Sequence, residues 1–96
     1  MKPSETLKLH RDAILNATKR FKVANPRVFG SVLHGTDTEE SDLDLLVDAL
    51  PGATLFDLGG FQDEIQELLG VKVDVMTPLD LSKRFRDKVL SEARPI

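Results

Sequence analysis

The sequence predicts an α/β (α+β) domain: a small mixed β-sheet of about three strands flanked by helices. Three observations lead there. Apolar residues recur at helical spacing over residues 4–21 and 55–69. Three short apolar stretches, RVF, DLDLLVDAL and VKVDVM, read as strands between and after them. The chain has 96 residues, which limits it to one domain, residues 1–96. So short a chain leaves little room for the crossovers of a purely parallel sheet, hence a mixed one.

Each element has a local justification. In the first helix Ser4 serves as N-cap and Glu5 suits the first turn, while Leu7, Ile14, Ala17 and Phe21 share a face. Lys19, Arg20 and Lys22 lie at its C-terminal end, where cations are favoured. Asn25-Pro26 reads as a breaker, so the first strand is Arg27-Val28-Phe29, stopping at Gly30. Residues 31–34 suit a turn or two of helix before Gly35, and polar loop follows to Ser41. The second strand, residues 42–50, is apolar enough for a central position and ends at Pro51-Gly52. Leu58, Phe61, Ile65 and Leu68 mark a helix over residues 55–69, with Gly59-Gly60 weakening its first turn and Gly70 as its stop. The third strand, residues 71–76, alternates strictly and ends at Thr77-Pro78. Residues 79–94 are helical, in one piece or broken around residues 83–87.

Composition removes several classes of function. With no cysteine there is no disulfide, thiolate metal ligand or cysteine nucleophile. No apolar run approaches the roughly 20 residues that cross a bilayer, and MKPSETLKLHRD lacks a signal-peptide core. The expectation is a cytoplasmic protein without membrane contact. The net charge of −3 is unevenly placed. No lysine or arginine stands between Val28 and Val71, a window that holds ten of the sixteen acids. That disfavours direct nucleic-acid binding through this segment, which needs cations to neutralise phosphate. The acids are either a solvated face or, in part, ligands of a cation.

Asp42 and Asp44 are two apart, so on a strand both carboxylates project from one face while Leu43, Leu45 and Val47 alternate to the other. Like charges this close raise each other's pKa or demand a counter-charge, and no lysine or arginine lies nearby in sequence. A hard divalent cation such as Mg²⁺ would supply it. Asp74 interrupts a strand whose valines line the opposite face, so it too asks for a reason. A neighbouring strand would bring it beside Asp42 and Asp44, and three carboxylates suit one or two Mg²⁺. Gly30-Ser31, where a strand gives way to helix, offers backbone N–H groups and a hydroxyl to a phosphate. Taken singly, each has a plainer reading: a turn for Gly-Ser, a cap for Asp42, a pair with Lys72 or Arg84 for Asp74.

Together, RVFGSVLHGTDTEESDLDLLVD and VKVDVMTP resemble the minimal nucleotidyltransferases (MNT) of the DNA polymerase β superfamily, over nearly the whole chain. Proteins of that family are often the antitoxin half of HEPN/MNT toxin–antitoxin pairs. The resemblance implies a polymerase-β-like nucleotidyltransferase fold. It implies that Gly30 and Ser31 contact nucleotide phosphates, and that Asp42, Asp44 and Asp74 ligate one or two Mg²⁺ and act in catalysis, Asp74 helping to activate the acceptor hydroxyl. The reaction implied is transfer of AMP from ATP to a hydroxyl, for MNT antitoxins a tyrosine of a partner HEPN ribonuclease toxin, within a hetero-oligomer.

One departure shapes an alternative. Many relatives carry arginines in patterns such as GSRARG, where this chain has GSVLHG with Val32 and His34. Arg27 either substitutes or lies on the surface, His34 is either a weaker cation or an ordinary loop residue, and Asp48 is a strand-end residue. With reduced or no catalysis the chain would neutralise its partner by occlusion. Residues 79–96, with Leu81, Phe85, Val89 and Leu90 at roughly helical spacing, are either a docking element or pack on their own sheet.

Overall fold

The computed structural model describes residues Met1–Ile96. Its elements are α1 (Pro3–Thr18), β1 (Val23–Phe29), α2 (Gly30–His34), β2 (Leu43–Ala49), α3 (Leu55–Leu69), β3 (Val73–Met76), a 3-10 turn (Pro78–Asp80), α4 (Lys83–Glu92) and β4 (Arg94–Pro95). The sheet is mixed, in the order β3-β2-β1-β4, with β2 and β3 parallel and the other pairs antiparallel. It has four strands rather than about three, because β4 exists only through its pairing with Arg27 and Val28.

Alternation along β2 divides the molecule. Leu43, Leu45 and Val47 point to one face and join Ile14 and Ala17 of α1, Phe61 and Ile65 of α3, Val28 and Val73 in a single buried core. Burying each of the larger side chains contributes roughly 1.5–3 kcal/mol. The alternate residues Asp42, Asp44, Leu46 and Asp48 belong to the other face, where Leu46 is buried outside that core. No helix is long and apolar enough to cross a membrane.

Several boundaries differ from the sequence expectation, each for a physical reason. The N-cap of α1 is Lys2 rather than Ser4, since Pro3 takes the first helical position where its missing N–H costs nothing. The helix stops at Thr18, with non-helical backbone at His10, so Phe21 lies beyond it. Phe21 instead meets Phe61 edge to face at 6.3 Å between centroids. A Cβ at Gly60 would stand 2.7 Å from Phe21 Cε1, so this glycine makes room for the ring inside an unbroken α3. Asn25-Pro26 does not break β1. It forms a bulge between Ala24 and Arg27, with Asn25 at φ +53°, a region asparagine tolerates. Val71 and Lys72 precede β3 rather than belong to it. The C-terminal helix is broken at Leu81-Ser82, where the Arg86 guanidinium donates to the carbonyls of Pro78, Leu79 and Leu81 and holds the chain in a turn.

The exposed edge of β3 is covered by side chains. Gln66 Oε1 accepts from Val73 N–H at 3.0 Å and Gln62 Oε1 from Val75 N–H at 2.9 Å. The two glutamines are four apart and so project from the same face of α3. They satisfy the outward N–H groups while the peptide of Asp74 between them faces β2.

Candidate active site

The parallel register pairs Asp44 of β2 with Asp74 of β3, and the antiparallel register pairs Asp44 with Phe29 of β1. Asp44 therefore stands at the meeting of three strands, next to Gly30, the first residue of α2. Gly30 has φ +72°, and a Cβ there would collide with Asp44 Oδ2. Glycine is needed twice over, for its backbone conformation and for the space that the carboxylate occupies. Sequence reasoning reserved that space for a phosphate; in the structure the near neighbour is the aspartate.

The Asp44 carboxyl is pushed up to about 6, first by burial, then by the charges of Asp74 and Asp42, with Lys72 acting in the opposite direction. This is the expected signature of carboxylates crowded in a partly desolvated place. Sequence reasoning offered Lys72 as a partner for Asp74; in the structure it pairs with Asp42 instead. Its Nζ lies 3.5 Å from Asp42 Oδ2, so Asp42 does have a protein counter-charge. Thirty positions separate the two residues, and only the parallel register, which places Lys72 one step before the Leu43–Val73 pair, brings them together. Asp42, Asp44 and Asp74 thus gather at one end and one face of the sheet. The three carboxylates are not drawn together into a three-ligand cluster.

Ser31 takes its place in the first turn of α2. Its carbonyl accepts from Thr36 N–H at 3.0 Å, while its hydroxyl has no partner within the protein. Gly35 closes the helix at φ +71°. The loop that follows is fixed by a residue not singled out from the sequence. Asp37 is buried and its carboxylate accepts from Ser4 N–H at 2.9 Å, capping α1 from 33 positions away. That backbone hydrogen bond holds the Asp37 carboxyl below the usual range. The connection from Gly30-Ser31 to Asp42 is thereby anchored on α1. A second local bond, Thr38 N–H to Ser41 Oγ at 2.8 Å, stiffens its last turn.

The remaining expectations are placed elsewhere. His34 ends α2 rather than lying in a loop, and its Nε2 is 3.3 Å from Glu92 Oε2 of α4. Arg27 is neither free at the surface nor at the carboxylate corner. It is partly buried and bonds Asp48 at 2.9 Å; the hydrogen bond from Asn25 chiefly, and then Arg27, hold the Asp48 carboxyl low. Asp48 is thus occupied by protein partners, unlike Asp44.

The donor set suits Mg²⁺: hard carboxylate oxygens, an excess of negative charge, and a raised carboxyl that a cation would relieve. Asp44 and Asp74, paired in register, would hold such an ion, and Asp42 would have to exchange Lys72 for it.

Comparison with known proteins identifies the family. The nucleotidyltransferase domain family matches residues 11–96. The chain is 37% identical over 71 residues to "Putative protein adenylyltransferase MJ0435" of Methanocaldococcus jannaschii, covering 74% of this chain and 76% of that protein. It is 34% identical over 86 residues to protein adenylyltransferase MntA of Thermococcus cleftensis, covering 84% and 87%. Among solved structures, one described as "putative minimal nucleotidyltransferase" superposes with TM-score 0.86 at 43% identity, covering 97% of this chain and 95% of the other. Another, a toxin–antitoxin crystal structure with AMP-PNP, shares the fold at TM-score 0.72 and 20% identity, covering 88% and 69%. With Gly30 and Asp44 in contact and Asp74 opposite, and with a family match across almost its whole length, the chain belongs to the nucleotidyltransferase domain family, in its minimal form.

Proposed function

We propose that this nucleotidyltransferase moves AMP from ATP to a hydroxyl, a tyrosine, of a HEPN-type toxin and thereby silences it. The observation that carries the reading is the corner itself: Asp44 packed on Gly30, opposite Asp74, and short of positive charge. Support for the protein acceptor comes from the adenylyltransferase names of the relatives, and for the nucleotide and the toxin from the AMP-PNP toxin–antitoxin neighbour.

In this mechanism the acceptor oxygen forms a bond to the α-phosphorus and the bond to the bridging oxygen breaks, releasing pyrophosphate. Gly30 and Ser31 hold phosphate through free N–H groups and the unengaged Ser31 hydroxyl. Asp74 takes the acceptor proton. Asp42, Asp44 and Asp74 would hold Mg²⁺, which when bound would offset charge on the phosphoryl oxygens. Asp44, with its carboxyl near 6, is mostly ionised at neutral pH and so ready to act as a ligand.

The partner surface fits α4. None of its residues is buried, and Phe85 and Leu90 remain 55% and 41% exposed. The test is incubation with labelled ATP, Mg²⁺ and the toxin encoded beside it, followed by intact mass. Gain of AMP units on the toxin is expected; no gain with any nucleotide overturns transfer. One observation favours neutralisation by occlusion as a second reading: His34, where relatives carry arginine, is engaged by Glu92. The double variant Asp42→Asn with Asp44→Asn separates the two, because only occlusion survives it.

A further inference from the structure

The largest cavity lies away from the carboxylate corner. It has a volume of about 810 Å³ and opens beside Val23 and Leu50, the strand ends opposite Gly30 and Asp42. That volume falls within the range of small-molecule sites. Arg11, Lys19, Lys22 and Arg27 line it, and no carboxylate side chain does. Four of the thirteen cations of an acidic protein thus surround one concavity.

Two of the four are already engaged. Arg27 bonds Asp48, and Arg11 Nε donates to the Ile96 carbonyl at 2.8 Å. Lys19 and Lys22 form no ion pair. Lys22 sits at φ +53°, a left-handed conformation that a residue with a Cβ rarely adopts. Its carbonyl accepts from Leu50 N–H at 2.9 Å, which fixes the strained turn at the wall of the cavity. Beyond the lysines, Leu15, Leu50 and Ile96 offer an apolar lining. Lys19 and Lys22, lining the cavity without an ion-pair partner, suit a compact dianion, and the apolar wall suits an organic body attached to it.

We propose that this cavity is a second ligand site, taking a small organic phosphate whose phosphate is held by Lys19 and Lys22 and whose apolar body lies on Leu15, Leu50 and Ile96. The site is distinct from the transferase corner and does not depend on Mg²⁺.

The test is amide NMR of the full chain in metal-free buffer, titrated separately with phenyl phosphate, inorganic phosphate and phenol. Saturable shifts at Lys19, Lys22, Ala24 and Ile96 are expected with phenyl phosphate, with the other two probes at least about tenfold weaker. The variant Lys19→Gln with Lys22→Asn should weaken phenyl phosphate at least about tenfold; asparagine tolerates the positive φ, so the fold is kept. Asp44→Asn should leave binding unchanged. The proposal is overturned by shifts confined to Gly30 and Ser31, by phenol binding as tightly as phenyl phosphate, by indifference to the loss of both lysines, or by no saturable shift at all.

Discussion

Asp44 occupies the space that any side chain at residue 30 would need, so Gly30 and Asp44 are a matched pair across the end of β1 and the start of β2. Gly30→Ala therefore strains the backbone and displaces the carboxylate together. Nucleotidyl transfer should fall by about 100-fold or more, since a displacement near 1 Å suffices for that. Stability should drop by about 1–3 kcal/mol. Steady-state labelling of the acceptor and urea unfolding measure the two effects.

The raised Asp44 carboxyl gives stability an unusual pH dependence. Its folded pKa of about 6 stands above the ordinary value of 3.8, so the folded state binds the proton more tightly. The resulting stabilisation is full below the ordinary value and is lost as pH rises through about 6. Asp44→Asn should then be the more stable protein at pH 7, by up to about 2 kcal/mol after allowance for solvent screening, with the difference vanishing near pH 4. Thermal unfolding of both proteins across that range tests the sign.

The same carboxyl predicts how Mg²⁺ acts. At pH 7 the ion should raise the melting temperature, because it binds the folded carboxylates and not the unfolded chain. At pH 5 Asp44 is largely protonated and the shift should shrink, and transfer activity should show an acid limb near pH 6. A Mg²⁺ shift of equal size in Asp44→Asn would contradict this.

Asp37 should matter to stability far more than an isolated loop acid. Asp37→Ala removes the acceptor for Ser4 N–H and frees the loop between Ser31 and Asp42, at a cost of about 1–2 kcal/mol. Because the Asp37 carboxyl is lowered, its contribution is present above its ordinary value and lost as pH falls through the folded one, opposite in sign to Asp44. Urea midpoints at pH 7 and at steps below pH 3.8 should show the wild-type advantage shrink on acidification.

Gln66→Leu should leave Val73 N–H without a partner and cost about 1–3 kcal/mol despite the added apolar surface. Faster hydrogen exchange at the Val73 amide, read by NMR, reports the loss directly.

Much of this was legible in the chain because the determining interactions are local. α3 shows itself by its three-and-four spacing and its glycine stop, and it spans Leu55–Leu69 as expected. The common face of Asp42 and Asp44 follows from strand alternation, and the register then sets Asp74 beside Asp44. What escaped was non-local. β4 is two residues long and defined by its partner, the Asn25-Pro26 bulge is tolerated only inside a paired strand, and Lys72 reaches Asp42 through a register that neither segment encodes by itself.

The glutamine seal on β3 also limits how copies of this protein can associate. With Val73 and Val75 N–H groups already taken, the sheet can be extended only on the side of β1 and β4. Two molecules meeting there edge to edge would present sealed flanks at both outer ends. Association by strand pairing would therefore terminate at a pair, and a growing fibre would have no next rung to climb.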